Sequence, residues 1–390
     1  MKVMLLLDTL GPGGTETSTA ALAPRLQALG ADVIIATLSS VENNREHEMR
    51  DEGIDVTVLG AGSTWHRLRE LRALLRSARP DVLHTALFAS DQLGRLAAIG
   101  LPTRVVSSFV NVPRIAGQAA ADSAHWKRRL VNLLDIVSCH LFVDRFHAVT
   151  PGVARLHHTA YRIPLSRIEV VERGRDPLRL GSRSDERRTR VRSSLDIQPD
   201  APVVVTGGRH EPQKAHHELI EAMALVRRHH RDAVLLIAGR EGSATQTLHD
   251  AMSASGSTAQ QVRLLGHRDD VADLLAAADV MALSSHFEGT AGIALEAMAL
   301  GTPIVTTRLD GMEGILVHEH NALVSPVGDP AAMAASINRI LDDAQLASRL
   351  GATAATDFLE RFTLDRAAER MLHLYTVTTT RPTRAQRRAR

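Results

Sequence analysis

The chain has 390 residues, 44% of them hydrophobic and 23% charged, with a formal net charge of +2. That length suits two domains or one large one, and the composition is globular, neither disordered nor fibrous. The small charge, 3% aromatics and absence of a basic stripe give no argument for nucleic acid as a partner, while the single Cys139 excludes a disulfide framework and a cysteine-built zinc site. The opening apolar run meets Asp8 too early for a signal-peptide core, and no run reaches the roughly 18 apolar residues of a spanning helix. A cytoplasmic protein is the expectation.

In chain order, short β-branched or leucine-rich runs alternate with longer segments of helical period, the pattern of a parallel sheet with covering helices. Strands are predicted at residues 3–7, 32–37, 55–59, 82–84 and 104–108, with helices at 16–29 and 66–77. This makes one doubly wound unit, residues 1–170. Residues 171–202 are charged and rich in turn formers, ending in Pro199 and Pro202, and read as a linker. The alternation restarts at 203–206, 233–238, 262–264, 279–283 and 303–307. Beyond Pro330 the chain is helical to about Val377, interrupted near Phe362, so 203–377 forms a second α/β domain with terminal helices. The basic tail, 378–390, reads as a solvated end, with anionic lipid the weaker reading.

Ligands of open α/β sheets sit at the carboxyl ends of the strands, and three loops there carry unusual residues. After the first strand comes Gly11-Pro12-Gly13-Gly14-Thr15-Glu16, where glycines and a helix start suit close approach to an anion; a tight turn needing positive φ fits equally well. After the strand at 203–206 comes Gly207-Gly208-Arg209 and then Lys214, one of three lysines in the chain. An arginine fork and a lysine point charge there could neutralise a diphosphate. After the strand at 279–283, a small-residue loop carries Glu288 and leads into a helix near Gly292 with Glu296 one turn in. Helix-start N–H donors and two carboxylates suit a polyhydroxylated nucleotide. Each acid alone also fits an ordinary loop or first-turn position.

The ordered set GGRHEPQK, LLIAGREG, VRLLGHRDDVADLLAAADVMALSSHFEGTAGIALEAMALGTPIVTT and ALVSPVGDP, with GPGGTE, PDVLH and FHAVTPGV before it, resembles the family 4 retaining glycosyltransferases of the GT-B fold over nearly the whole chain. The resemblance implies two Rossmann-like domains facing across a cleft, with the nucleotide-sugar donor held mainly by the second and the acceptor by the first. It implies that Arg209 and Lys214 meet the donor diphosphate and that Glu296 bonds the ribose. Glu288 lies near the sugar hydroxyls, and Gly208, Thr290, Ala291, Gly292 and Ile293 line sugar and phosphate. Gly13 and Gly14 approach the diphosphate from the first domain, where His84 and Arg173 fall on the acceptor side. Three departures stand out. Thr290-Ala291 replaces the family's frequent Phe-Gly, and Ala86 stands where many members carry a second histidine. VVERGRDP replaces the usual asparagine-glycine turn.

The implied reaction is retaining transfer of a hexose from a nucleotide-diphosphate sugar, UDP ahead of GDP, to a hydroxyl of a glycan, a lipid-linked saccharide or a small metabolite. Arg209, Lys214 and Glu288 would be the catalytic residues, because negative charge develops on the departing diphosphate. No D-x-D occurs in the chain, and His318-Glu319-His320 reads as a polar loop, so neither metal nor other cofactor is expected. A sugar-nucleotide epimerase, a phosphorylase and a silent nucleotide-sugar-binding protein are the rivals. Residues 126–146 mix basic and apolar side chains, where peripheral contact with the inner membrane face competes with the better-fitting reading of an ordinary amphipathic helix. Oligomeric state leaves no mark in the sequence.

Overall fold

A computed structural model describes residues 1–113 and 125–380. The chain divides into two compact units, the first built from residues 1–174 together with the segment from Leu364 onward, the second from residues 175–363.

The first unit holds a seven-stranded sheet: β1 (Lys2–Leu7), β2 (Asp32–Thr37), β3 (Asp55–Val58), β4 (Val82–Ala86), β5 (Arg104–Phe109), β6 (Arg145–Ala148) and β7 (Ile168–Val170). All neighbours are parallel, in the order β3-β2-β1-β4-β5-β6-β7. Side chains alternate across a strand, so Val3, Leu5 and Leu7 pack on one face while Met4 and Leu6 pack on the other. The second unit holds a six-stranded sheet: β8 (Val203–Gly207), β9 (Val234–Ala238), β10 (Val262–Gly266), β11 (Val280–Leu283), β12 (Ile304–Thr307) and β13 (Leu323–Ser325). It is also all parallel, ordered β10-β9-β8-β11-β12-β13. Strand order reverses between β1 and β4 in one sheet and between β8 and β11 in the other. At these switch points the diverging crossovers leave a crevice.

The strand predictions hold to within a residue or two, but β6, β7 and β13, four, three and three residues long, were not among them. Three larger expectations need correction. Residues 171–202 are not a linker: helices Pro177–Leu180 and Asp185–Ser194 lie here, and Val191 and Ile197 enter the second unit's core. The arginines that suggested a solvated segment are bonded. Arg187 pairs with Asp273 at 2.5 Å, and buried Arg192 donates to the Ala277, Pro199 and Ala201 carbonyls and to Asp279. The last helix, Leu364–Thr380, belongs to the first unit, where Ala368, Met371, Leu374 and Tyr375 pack beside β1; it takes in residues 378–380 of the expected tail. Residues 381–390 lie outside the described residues.

Helix His125–Phe142 also departs from the ordinary amphipathic reading. It buries Asp135, Ser138 and Cys139 and exposes Val131, Leu133, Leu134, Val137 and Leu141. The cause is Arg95, whose guanidinium is 1% exposed and needs acid partners to be buried. Asp135 lies 2.7 Å away and Asp91 3.5 Å. Among the described residues no helix is long and apolar enough to cross a membrane.

Candidate functional site

In the second unit, the loops after β8 and β11 meet at the switch point. Gly208 has φ +143°, a backbone conformation that side chains rarely adopt, and a Cβ there would stand 2.9 Å from the Lys214 Cε. The lysine therefore runs directly across the glycine. A short 3₁₀ turn, Pro212–Lys214, fixes its backbone. Ser284 donates to the Lys214 carbonyl at 2.9 Å, and the His286 N–H donates to the Gln213 carbonyl at 2.8 Å. These bonds tie the two loops together.

Lys214 Nζ donates to Glu288 Oε1 at 2.6 Å, and Ser285 donates to the same oxygen at 2.8 Å. The side chains are 16% and 8% exposed, so the pair is a near-buried charge pair at the strand ends. An ammonium has three donors, and one of Lys214's is used. Arg209, the other expected cation, behaves differently: its side chain is 68% exposed and its Nε lies 3.2 Å from Glu211. Of the two predicted cations, only Lys214 is held at the acid.

Glu296 lies on helix Gly292–Leu300, one turn beyond Gly292. Arg175 Nε donates to its Oε1 at 2.8 Å, a partner that sequence reasoning missed. Two neighbouring loops lean on the site through glycines that were also missed. A Cβ on Gly239 would fall 1.9 Å from the Gly208 carbonyl oxygen, and one on Gly311 would fall 1.8 Å from that of Glu288. Ile293 packs on Gly207, where a Cβ would lie 2.7 Å from its Cδ1. The Ala291 N–H points to the Met312 sulfur at 3.4 Å, the buried Thr290 hydroxyl has no partner among the described residues, and the first N–H groups of the helix have no acceptor within it. Behind Lys214, His216 is buried and its pKa is pushed down to about 3, first by burial and then by that ammonium.

In the first unit, Arg173 Nη2 donates to the Thr15 hydroxyl at 2.8 Å, and its Nη1 would lie 3.6 Å from a Cβ on Gly14. The expected Arg173 and Gly14 are thus neighbours. Neither Gly13 nor Gly14 has positive φ, so the turn reading of this loop fails. At Gly13 the Glu16 carboxylate takes the space a Cβ would need, 2.3 Å from it. A cavity of about 60 Å³ is lined by, among others, Thr15, Ser18, His84, Ser108, His147 and Arg173.

His84 is 7% exposed and both of its ring nitrogens are taken: Nδ1 is 2.6 Å from the Tyr375 hydroxyl and Nε2 is 2.6 Å from Ser108 Oγ. Ser108 Oγ lies 2.7 Å from His147 Nδ1, and His147 Nε2 lies 2.9 Å from the Val171 carbonyl. A carbonyl only accepts, so His147 donates from Nε2. With neutral rings, Ser108 then donates to His147, His84 donates to Ser108, and Tyr375 donates to His84. Burial holds His84 well below the usual histidine range, with His147 adding to the shift, and pushes His147 down to about 4. His84, expected on the acceptor side, borders the cavity, while its ring nitrogens serve this chain of bonds. In the polar loop at 318–320, Glu319 pairs with Arg339 and His320 with Asp357.

Comparison with known proteins matches the same two halves. Residues 12–179 match the model of Glycosyltransferase Family 4, and residues 187–357 match that of Glycosyl transferases group 1. A D-inositol 3-phosphate glycosyltransferase of Salinispora arenicola is 30% identical over 311 residues, covering 76% of this chain and 68% of that protein. One from Jonesia denitrificans is 27% identical over 93% of this chain and 91% of its own length. The structure of Anabaena HepE in complex with UDP superposes with a TM-score of 0.84 at 18% identity, covering 97% of this chain and all of that one. From one half to the other, the chain belongs to glycosyltransferase family 4, and its two parallel α/β units are those of the GT-B fold.

Proposed function

We propose that the second unit binds the diphosphate of a UDP-sugar and that the enzyme transfers the sugar with retention to a hydroxyl acceptor, without a bound metal. The observation that carries this reading is the near-buried Lys214–Glu288 pair at the β8/β11 switch point, with Glu296 on the adjoining helix. UDP is placed ahead of GDP because HepE was solved with UDP and with UDP-glucose. The acceptor class is a glycan, a lipid-linked saccharide or a small metabolite. For a lipid-linked one, the exposed Leu133, Leu134, Val137 and Leu141 supply an apolar surface for the membrane.

The chemistry follows from where charge appears. As the anomeric bond breaks, negative charge moves onto the diphosphate and the sugar becomes oxocarbenium-like. Lys214 has two donors left for that charge, and being preorganised it stabilises the transition state beyond the ground state. Glu288 Oε1 holds the lysine, and its carboxylate orients the sugar hydroxyls. Arg209, exposed at the rim, closes on the diphosphate when it arrives. The acceptor hydroxyl attacks the face the diphosphate leaves, and the departing phosphate oxygen takes its proton. With no D-x-D in the chain, the cations of the protein carry the leaving-group charge.

The test is calorimetric titration of UDP, GDP, ADP and dTDP into the wild type and Lys214→Ala. Binding of UDP that is lost in the variant is expected. Failure of all four to bind the wild type overturns the reading.

A further inference from the structure

Arg175 draws attention because its backbone and its side chain are both held. Its N–H donates to the Phe362 carbonyl at 2.9 Å, and the residue bridges Thr363, which fixes the Cα. Its guanidinium reaches Glu296 with Nε at 2.8 Å, the two side chains being 16% and 21% exposed. It also points its Nη2 end at the first turn of helix Gly292–Leu300: a Cβ on Gly292 would be 2.2 Å from Nη2. Gly292 and Glu296, four residues apart, share one helix face, and the arginine spans both.

That position is electrostatically costly by itself, because a cation at a helix amino terminus opposes the dipole. A structural staple needs no such placement. An arrangement that keeps one acid oriented beside a positively charged helix start makes sense if a further group with hydroxyls and negative charge binds there. A carboxylate has about four acceptor positions. The Nε contact uses one and restrains the carboxylate, leaving the others for further donors.

We propose that Arg175 is a positioning residue of the donor site: it holds the Glu296 carboxylate in the orientation that reads the ribose hydroxyls of the nucleoside diphosphate. This rests on the donor-site reading above and extends it to a residue outside the expected set. It explains the glycine at 292, since a side chain there would push the guanidinium off the acid while leaving both charges in the molecule.

The experiment compares UDP with 2′-deoxy-UDP and 3′-deoxy-UDP by calorimetry on the wild type, Arg175→Ala, Arg175→Lys and Glu296→Ala. The wild type should prefer UDP over both deoxy forms. Arg175→Ala should weaken UDP about tenfold, the scale of one charged hydrogen bond, and bring the preference for the ribose hydroxyls close to that of Glu296→Ala. In a double variant the two losses should not add. Arg175→Lys keeps the charge and bulk but cannot make the Nε contact, so it should fold, bind, and still show a reduced preference; it carries the same test should the alanine variant not fold. An Arg175 variant that loses affinity equally for UDP and both deoxy forms, or loses none, overturns the inference while leaving the donor site intact. If the wild type binds neither UDP nor GDP, the donor-site reading fails and the inference goes with it. If GDP alone binds, GDP and its deoxy forms replace the uridine series.

Discussion

Two parallel sheets with the same strand order around their switch points carry different chemistry beside their strands. Beside β4 and β5, the first unit buries a neutral row of hydrogen bonds, Tyr375 to His84 to Ser108 to His147, closed by the Val171 carbonyl. Beside β8 and β11, the second unit places two ion pairs, Lys214–Glu288 and Arg175–Glu296. The fold supplies a crevice in both cases. What differs is whether the side chains meeting there bring charge, and the proposed reading gives the anionic donor to the charged end in the second unit.

The largest expected effect breaks the charged end. Lys214→Ala should lower the transfer rate about 10²–10³-fold, the usual loss for one preorganised contact to developing charge. Initial rates at saturating donor measure it. A rate within twofold of wild type would remove Lys214 from the mechanism.

Acid sharpens the contrast from the neutral end. His147 titrates at 6.5 in the unfolded chain and at about 4 when folded, so below pH 6.5 the unfolded state binds a proton the folded state refuses. Stability therefore falls with pH across that window, by about 3 kcal/mol at pH 4 for this one group. His157, also pushed down to about 4 by burial, acts in the same sense, as does His84. Asp91, raised to about 6 chiefly by burial, opposes them between pH 6 and 3.8, where the folded state binds the extra proton. Denaturant midpoints from pH 7 to 4 should decline on balance, and His147→Gln should flatten the slope.

Tyr375→Phe removes the hydroxyl that donates to His84 and leaves a buried acceptor unpaired. We expect a loss of about 1–3 kcal/mol in stability with nucleotide affinity unchanged, read from thermal unfolding and calorimetry together. Arg209→Ala should have the smallest effect, less than about tenfold in rate, because its 68%-exposed side chain must be recruited by the donor rather than standing ready. An effect equal to that of Lys214→Ala would mean that both cations are preorganised in the working enzyme.

Much of this was legible in the chain. Period-two and period-3.6 patterns located the long strands and helices, because burial acts on them residue by residue. β6, β7 and β13 escaped, since runs of three or four residues carry little pattern. The charged stretch around residues 183–192 was misread because composition cannot show that an arginine has carbonyls and aspartates waiting for it. Lys214, Glu288 and Glu296 stood out as candidates because their loops are local in sequence. Arg175 was missed because its partner lies 121 positions away.

The sequence by itself determined the two α/β units, the strand ends where chemistry gathers and the residue types available there, since these follow from local pattern and loop composition. Only the tertiary structure decided that Leu364–Thr380 packs on the first unit, that His84 spends both nitrogens inside it, that Arg209 stays exposed, and that Arg175 holds Glu296. Those outcomes depend on which distant groups compete for each hydrogen bond and each buried surface, and that competition is settled only when the chain has closed around them.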